Sequence, residues 1–294
     1  MLHRVIGLSS LALTVALPLQ AQEFSGRLTF GLSETSVDDF DGSLRSMGID
    51  GLLGVNFGNG LTMDADLRLG RTDSEGEDLS TTGIGLAARY QFQNGTTLGA
   101  YAERDGISFD GDDLTLTSVG VLLGYSAGPV RVEAYVGQTD LGDTDVTSDD
   151  IGLYLSYATG QGLALGGGIA KSDVDGDDLT MFRLGAVQDL NTDWTMFGGL
   201  EMADEAGIDY SSLGIGISRD VSSVLGMPSS VSVEYLRQTI SDGTDDVGLN
   251  TLRLGMTLPF GKDASQLPVN SLTQKVLRPR HNALPATITS GLVF

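Results

Sequence analysis

The chain has 294 residues, with 39 acidic side chains against 17 Lys and Arg, a net charge of −22, no cysteine, and 41 glycines against 7 prolines. That charge excludes a nucleic-acid binder, which needs a basic footprint, and the lack of cysteine excludes a secreted scaffold stapled by disulfides. Abundant glycine with little proline argues against a disordered Pro/Gly chain and suits twisted sheet with tight turns.

In chain order, residues 1–21 predict an export signal. His3 and Arg4 make a positive start, Val5 to Leu17 an apolar core, and Leu19-Gln20-Ala21 ends in the small residue that signal peptidases require. That run is too short for a spanning helix, which needs about 20 apolar residues. From Phe24 to Phe260 one unit recurs: ten or so residues alternating apolar with small or polar, then a turn. Leu61, Met63, Ala65, Leu67 and Leu69 oppose Thr62, Asp64, Asp66, Arg68 and Gly70, and period two is strand. Phe24 to Leu32, Val130 to Val136 and Leu252 to Phe260 repeat the pattern.

Connections alternate between tight turns and longer acidic loops. Gly58-Asn59-Gly60, Asn94-Gly95, Ala127-Gly128-Pro129, Thr159-Gly160-Gln161 and Asn191-Thr192-Asp193 are turns. Between them lie acidic stretches near Asp38 to Asp41, Asp73 to Asp78, Asp110 to Asp113, Asp143 to Asp150, Asp173 to Asp178, Asp204-Glu205 and Asp242 to Asp246. The hexapeptide Asp110 to Thr115 recurs as Asp175 to Thr180, 65 residues on, as equivalent loops on one rim would. The loop order gives about fourteen strands. Twelve and sixteen stay open, because Val221 to Ser230 is ill-defined and Leu114 to Tyr125 changes parity midway.

The non-apolar face is rich in small residues, Gly83, Gly85, Gly99, Gly152, Gly166, Gly168, Gly185, Gly199, Gly214 and Gly216 among them, and so predicts a hollow lumen. Tyr90, Phe92, Tyr125, Tyr157, Trp194 and Phe260 sit near strand ends on the apolar parity, as an interfacial girdle would. The expected fold is all-β, a transmembrane antiparallel barrel over residues 22–260. A closed barrel is the one sheet arrangement that hydrocarbon tolerates.

The signal, the alternating strands and a last strand ending in Phe260 resemble the Gram-negative general porin family, which forms water-filled diffusion channels. The resemblance implies residence in the bacterial outer membrane and passive diffusion of small hydrophilic solutes and ions. It implies as partners outer-membrane lipid and lipopolysaccharide, those solutes and cations, and, left open, further copies of the chain. Two features depart from the family. Its trimeric members fold a long third loop into the pore, whereas Gly106 to Asp113 reaches about 14 Å out and back. The chain also continues past Phe260 for a basic segment, 261–294, with Lys262, Lys275, Arg278 and Arg280 against Asp263. Its prolines Pro268, Pro279 and Pro285 break any long element, so an unfolded periplasmic tail is the first expectation, with contact to another envelope component or entry into the lumen as a plug the alternatives.

Parity places Arg27, Asp64, Asp66, Arg68, Arg89, Glu103, Arg131, Glu133, Arg183, Glu201, Glu234 and Arg253 in the lumen, where charge is functional by default or pairs across strands to brace the wall. Asp173, Asp175, Asp177 and Asp178 are weak cation candidates without the spacing or distal Glu of an EF-hand. The only histidines, His3 and His281, lie outside the expected barrel. Hydrolytic chemistry on barrels leans on a histidine base, so neither an enzyme nor a cofactor is expected. A cation-preferring channel is the first expectation. The alternative is a non-conducting structural or adhesive barrel, which large lumen-facing side chains would favour.

Overall fold

The computed structural model describes residues 23–38, 42–74, 77–109, 112–142, 144, 146–174, 176–205, 207–262, 265–278 and 280–281, without the side chains of 74, 77, 78 and 177. The expected export signal and the chain beyond His281 lie outside the described residues. The strands are β1 Glu23–Val37, β2 Ser43–Asn56, β3 Leu61–Ser74, β4 Glu77–Gln91, β5 Thr96–Phe109, β6 Asp112–Ala127, β7 Val130–Asp140, β8 Thr147–Ala158, β9 Leu163–Val174, β10 Asp177–Asp189, β11 Trp194–Glu205, β12 Ile208–Asp220, β13 Ser230–Ser241 and β14 Asp246–Gly261. One helical turn, α1 Ser222–Leu225, joins β12 to β13, and α2 Leu272–Leu277 follows β14. All fourteen strands form one closed antiparallel barrel in sequence order, with β1 paired to β14.

Closure is fastened at both rims. At one, Asp38 N–H donates to Gly248 C=O at 2.7 Å, and Arg237 and Asn250 donate to its carboxylate. At the other, Lys262 N–H donates to Phe24 C=O at 3.0 Å and its Nζ pairs with Glu23 at 2.6 Å. The two ill-defined stretches resolve. Val221–Ser229 is a connection on the short-turn rim, built around α1. β6 keeps one parity throughout, Leu116, Ser118 and Leu122 inward and Val119, Val121, Leu123 and Tyr125 outward. Its parity reads as broken because Leu116 and Leu122 are apolar residues on the inner face.

The burial pattern is inverted relative to a soluble protein: Leu213 and Ile215 are 59% and 60% exposed while Glu201 and Arg183 are 1% and 3% exposed. Continuous apolar exposure around a closed sheet is a lipid-facing surface. The girdle aromatics all point outward at the short-turn rim, with Tyr90 packed edge-on to Phe92 at 5.0 Å and Arg219 over Trp194 at 5.2 Å. What the sequence suggests as long acidic loops is mostly strand. β6 and β14 run 16 residues, where about 9–11 cross the hydrocarbon, so the excess carries the acidic hairpins beyond it. The third connection is shorter than expected, since β5 ends at Phe109 and β6 begins at Asp112.

The lumen is not hollow. Its glycines are there because large side chains lie over them. Tyr101, Tyr135, Tyr154 and Phe197 stand directly opposite Gly120, Gly152, Gly168 and Gly216 on the following strand. A Cβ added at any of these glycines would fall 2.1–2.5 Å from the ring or the backbone beside it. With Leu116, Leu179, Met181 and Tyr210 the three tyrosine rings form an apolar cluster inside the barrel, toward the acidic rim. The segment after Gly261 departs from the first expectation, an unfolded tail. Its described part, 265–278 and 280–281, is folded back into the barrel, with Leu267, Ser271, Leu272, Thr273, Gln274, Val276 and His281 buried. The physical reason is partnership. Its polar groups meet charges and hydroxyls of the wall, and its apolar residues meet glycine.

Candidate functional site: the occupied lumen

The inner face of the barrel carries all twelve charged residues that parity placed there. Several stand as cross-strand pairs: Arg183 faces Glu201 at 2.7 Å, Arg253 faces Glu234 at 3.5 Å, and Arg68 lies 3.7 Å from Asp50, an inward acid the alternation did not single out. Arg89 bridges Asp64 at 2.7 Å to Glu133 at 2.9 Å, two strands of the wall that are not neighbours. Arg131 joins Glu133 at 2.6 Å. Arg27 donates to Gln274 of the returning segment at 2.5 Å. Asp66 and Glu103 meet Arg280 and His281.

The returning segment, or strap, enters at the short-turn rim and crosses the lumen. Gln266 donates to Asp220 at 2.5 Å, and its carbonyl accepts from Ser230 at 3.0 Å and Ser218 at 3.2 Å. Val269 N–H donates to Thr29 at 2.9 Å, Arg253 donates to Asn270 C=O at 3.2 Å, and Leu272 N–H donates to Glu234 at 3.0 Å. The helix α2 starts on a capping pattern, Ser271-Leu272-Thr273-Gln274, with the Ser271 hydroxyl accepting from Gln274 N–H at 3.1 Å. It stops before Arg278, which precedes Pro279 and is biased out of helix.

The helix lies on a floor of glycine. Gly166, Gly185, Gly199 and Gly214 are in register across β9 to β12. A Cβ on them would meet Leu277, Val276 and Leu272, at 2.7 Å for Leu277 and 3.1–3.3 Å for the other two. Beyond α2, Arg278 is 3.8 Å from Asp64 and the Arg280 guanidinium is shared between Asp66 and Asp105. His281 stacks on Tyr101 at 4.4 Å, its Nδ1 2.8 Å from Glu103 and its Nε2 3.5 Å from Glu133. Both ring nitrogens face carboxylates, so this histidine, expected outside the barrel, is engaged within it. A cavity of about 440 Å³ remains beside this end, bounded by Asp64, Arg89, Arg131, Glu133, Arg278 and Arg280. Strap contacts were legible only as fragments, in the capping pattern and in the recurrence of inward glycine.

Of the cation candidates, the side chains of Asp173 and Asp178 are described, and each has a partner of its own. Asp173 accepts from Gly176 N–H at 3.2 Å, Asp178 pairs with Lys171 at 2.7 Å, and Asp175 and the Asp177 side chain lie outside the described residues. Among the described residues no group of three or more His, Asp or Glu is arranged to hold a metal.

A closed antiparallel barrel with an apolar outside, an aromatic rim and a charged interior defines an outer-membrane barrel protein. The sequence model of the Gram-negative porins matches residues 53–207. The chain belongs to that family and to the bacterial outer membrane. No curated protein sequence matches it. Among solved structures it is similar to an anion-selective porin from Comamonas acidovorans, with TM-score 0.53 and 12% identity over 82% of this chain and 99% of that one. It is also similar to the deltaS2 mutant of the TodX monoaromatic hydrocarbon channel, with TM-score 0.56 and 10% identity over 82% and 90%. A Pseudomonas aeruginosa FadL homologue aligns with TM-score 0.52 and 10% identity over 80% and 90%. At these identities the likeness is one of fold.

Proposed function

We propose that the protein is a porin-type channel for small hydrophilic solutes and ions, held narrow by its own strap, and that it prefers cations. The observation that carries this is the interior. Charges of both signs face a residual cavity of about 440 Å³ inside a lipid-facing barrel, a setting in which ionised groups serve permeation. The acidic rim, with Asp112, Asp113, Asp173, Asp204, Asp209, Asp242 and Asp246 exposed, supports the cation preference. Membership of a channel family and the engagement of His281 speak against enzymatic work.

One observation favours the second reading, a barrel that does not conduct: the apolar cluster of Leu116, Leu179, Met181 and Tyr210 fills inner space near the acidic rim. Planar-bilayer conductance of the full chain and of a chain ended after Gly261 separates the two. Discrete ion currents that grow on removal of the strap support the channel. A folded, inserted truncation that passes no current establishes the structural barrel instead.

A further inference from the structure

The end of the strap is bound as a ligand is bound. The Arg280 side chain is 9% exposed and its two terminal nitrogens reach different strands, Nη1 to Asp105 and Nη2 to Asp66. Gly83 supplies the room: a Cβ there would lie 3.0 Å from Arg280 Nη2. His281 follows, its ring on Tyr101 and its main-chain N–H 3.3 Å from both oxygens of Glu103. Two tyrosine hydroxyls close on the strap's backbone, Tyr154 donating to Arg280 C=O at 3.3 Å and Tyr101 to His281 C=O at 3.2 Å. Asp105 is 1% exposed, and its Oδ2 accepts no hydrogen bond from the described residues even with the guanidinium in place. A planar fork shared by two carboxylates is guanidinium recognition, which an ammonium point charge does not reproduce.

We propose that Asp66, Asp105 and Glu103, with the Gly83 cradle and the Tyr101 face, form a lumenal binding site for small guanidinium-bearing solutes, and that Arg280-His281 is an intramolecular occupant with which such solutes compete. The inference rests on the channel reading for its physiological meaning, though not for the binding itself. Access is through the 440 Å³ cavity, which Arg278, Arg280 and His281 border. A tethered competitor acts at an effective concentration of about millimolar, so a free solute displaces it only at comparable concentration. Removal of the competing charge lowers that requirement.

The test titrates L-arginine, and L-citrulline as its neutral isostere, into detergent-solubilised full-length wild type and Arg280→Gln by calorimetry. Arginine is expected to bind Arg280→Gln about tenfold more tightly than wild type, and at least about tenfold more tightly than citrulline. Equal affinity for arginine and citrulline, or equal arginine affinity in the two proteins, overturns the site. Should Arg280→Gln fail to give a heat-modifiable barrel, hydrogen exchange of wild type decides. Arginine and not citrulline should speed exchange at Lys275 to His281, and an identical response to both overturns the proposal. Conductance is measured in parallel on the same samples. Silence in every sample removes the channel reading while calorimetry still decides the site.

Discussion

Tyr135 lies across the inner wall with its ring over Gly152, the residue directly opposite on β8, and a methyl group there would come within 2.1 Å of Cε1. The ring is held on its other side by Tyr154, stacked at 5.8 Å, so it cannot yield without disturbing the next pair. Gly152→Ala should therefore destabilise the barrel by about 1–3 kcal/mol, the usual cost of overpacking a filled interior. The measure is the urea midpoint of the heat-modifiable form, and an unchanged midpoint would show the ring free to move. Outside the membrane, Asp38 is held below the usual carboxylate range, chiefly by the hydrogen bond from Arg237, with Asn250 adding a second. A depressed folded-state value means that its contribution to stability is present above the unfolded value of about 3.9. It is lost as pH falls through the folded one. The wild-type advantage over Asp38→Asn should hold at pH 7 and vanish in acid. A constant difference across that range would show that charge at Asp38 is not what fastens the seam. At this scale parity was readable, because each inward charge needs only its place in an alternating strand. The ring-on-glycine pairs were not, because they depend on cross-strand register, which alternation leaves free.

α2 is held by geometry more than by its own length, since six residues make no stable helix alone. Its support is the glycine row of Gly166, Gly185, Gly199 and Gly214. Replacing Gly185 with Leu should lift the helix from the wall, because even a Cβ there would lie 3.1 Å from Val276. Faster hydrogen exchange across 272–277 in a barrel that still migrates as folded is the expected result, and unchanged exchange would remove the glycine floor from the account. The barrel itself should not need the strap. β14 pairs with β1 from Leu249 to Gly261, and Phe260 points outward on the rim. A chain ended after Gly261 is expected to insert and remain heat-modifiable. Failure of that truncation, with Phe260 variants of the full chain assembling normally, would place the assembly signal near Phe294. Strand number followed from turn spacing and alternation. The strap ranked only as an alternative because its composition, basic and interrupted by proline, is that of a free segment, and only the matching wall charges make its burial favourable.

The charge of the whole molecule is distributed unevenly, and in the proposed channel that distribution should govern which ions reach the lumen. Inside, arginines and carboxylates are paired at close range. The acidic rim has few basic partners, with Lys171 on Asp178 and Arg237 on Asp38 among them. Paired interior charges discriminate weakly between ions of opposite sign, whereas a single-signed rim over a low-dielectric wall concentrates cations and depletes anions at the mouth. The two origins differ in how salt acts on them. With a Debye length of about 10 Å at 0.1 M and 3 Å at 1 M, the rim field covers the mouth in dilute salt and contracts onto the hairpins in concentrated salt. Charges lining the narrow interior are screened far less. The reversal potential across a tenfold KCl gradient should therefore report cation preference at low mean salt and fall toward zero at high mean salt. A variant with Asp110, Asp112, Asp113, Asp175, Asp177 and Asp178 changed to Asn should lose most of that preference in dilute salt. Anion preference in the wild type would refute the assignment. Selectivity that survives molar salt and is unaltered in the variant would move its origin to Asp64, Asp66 and Glu133, beside the strap.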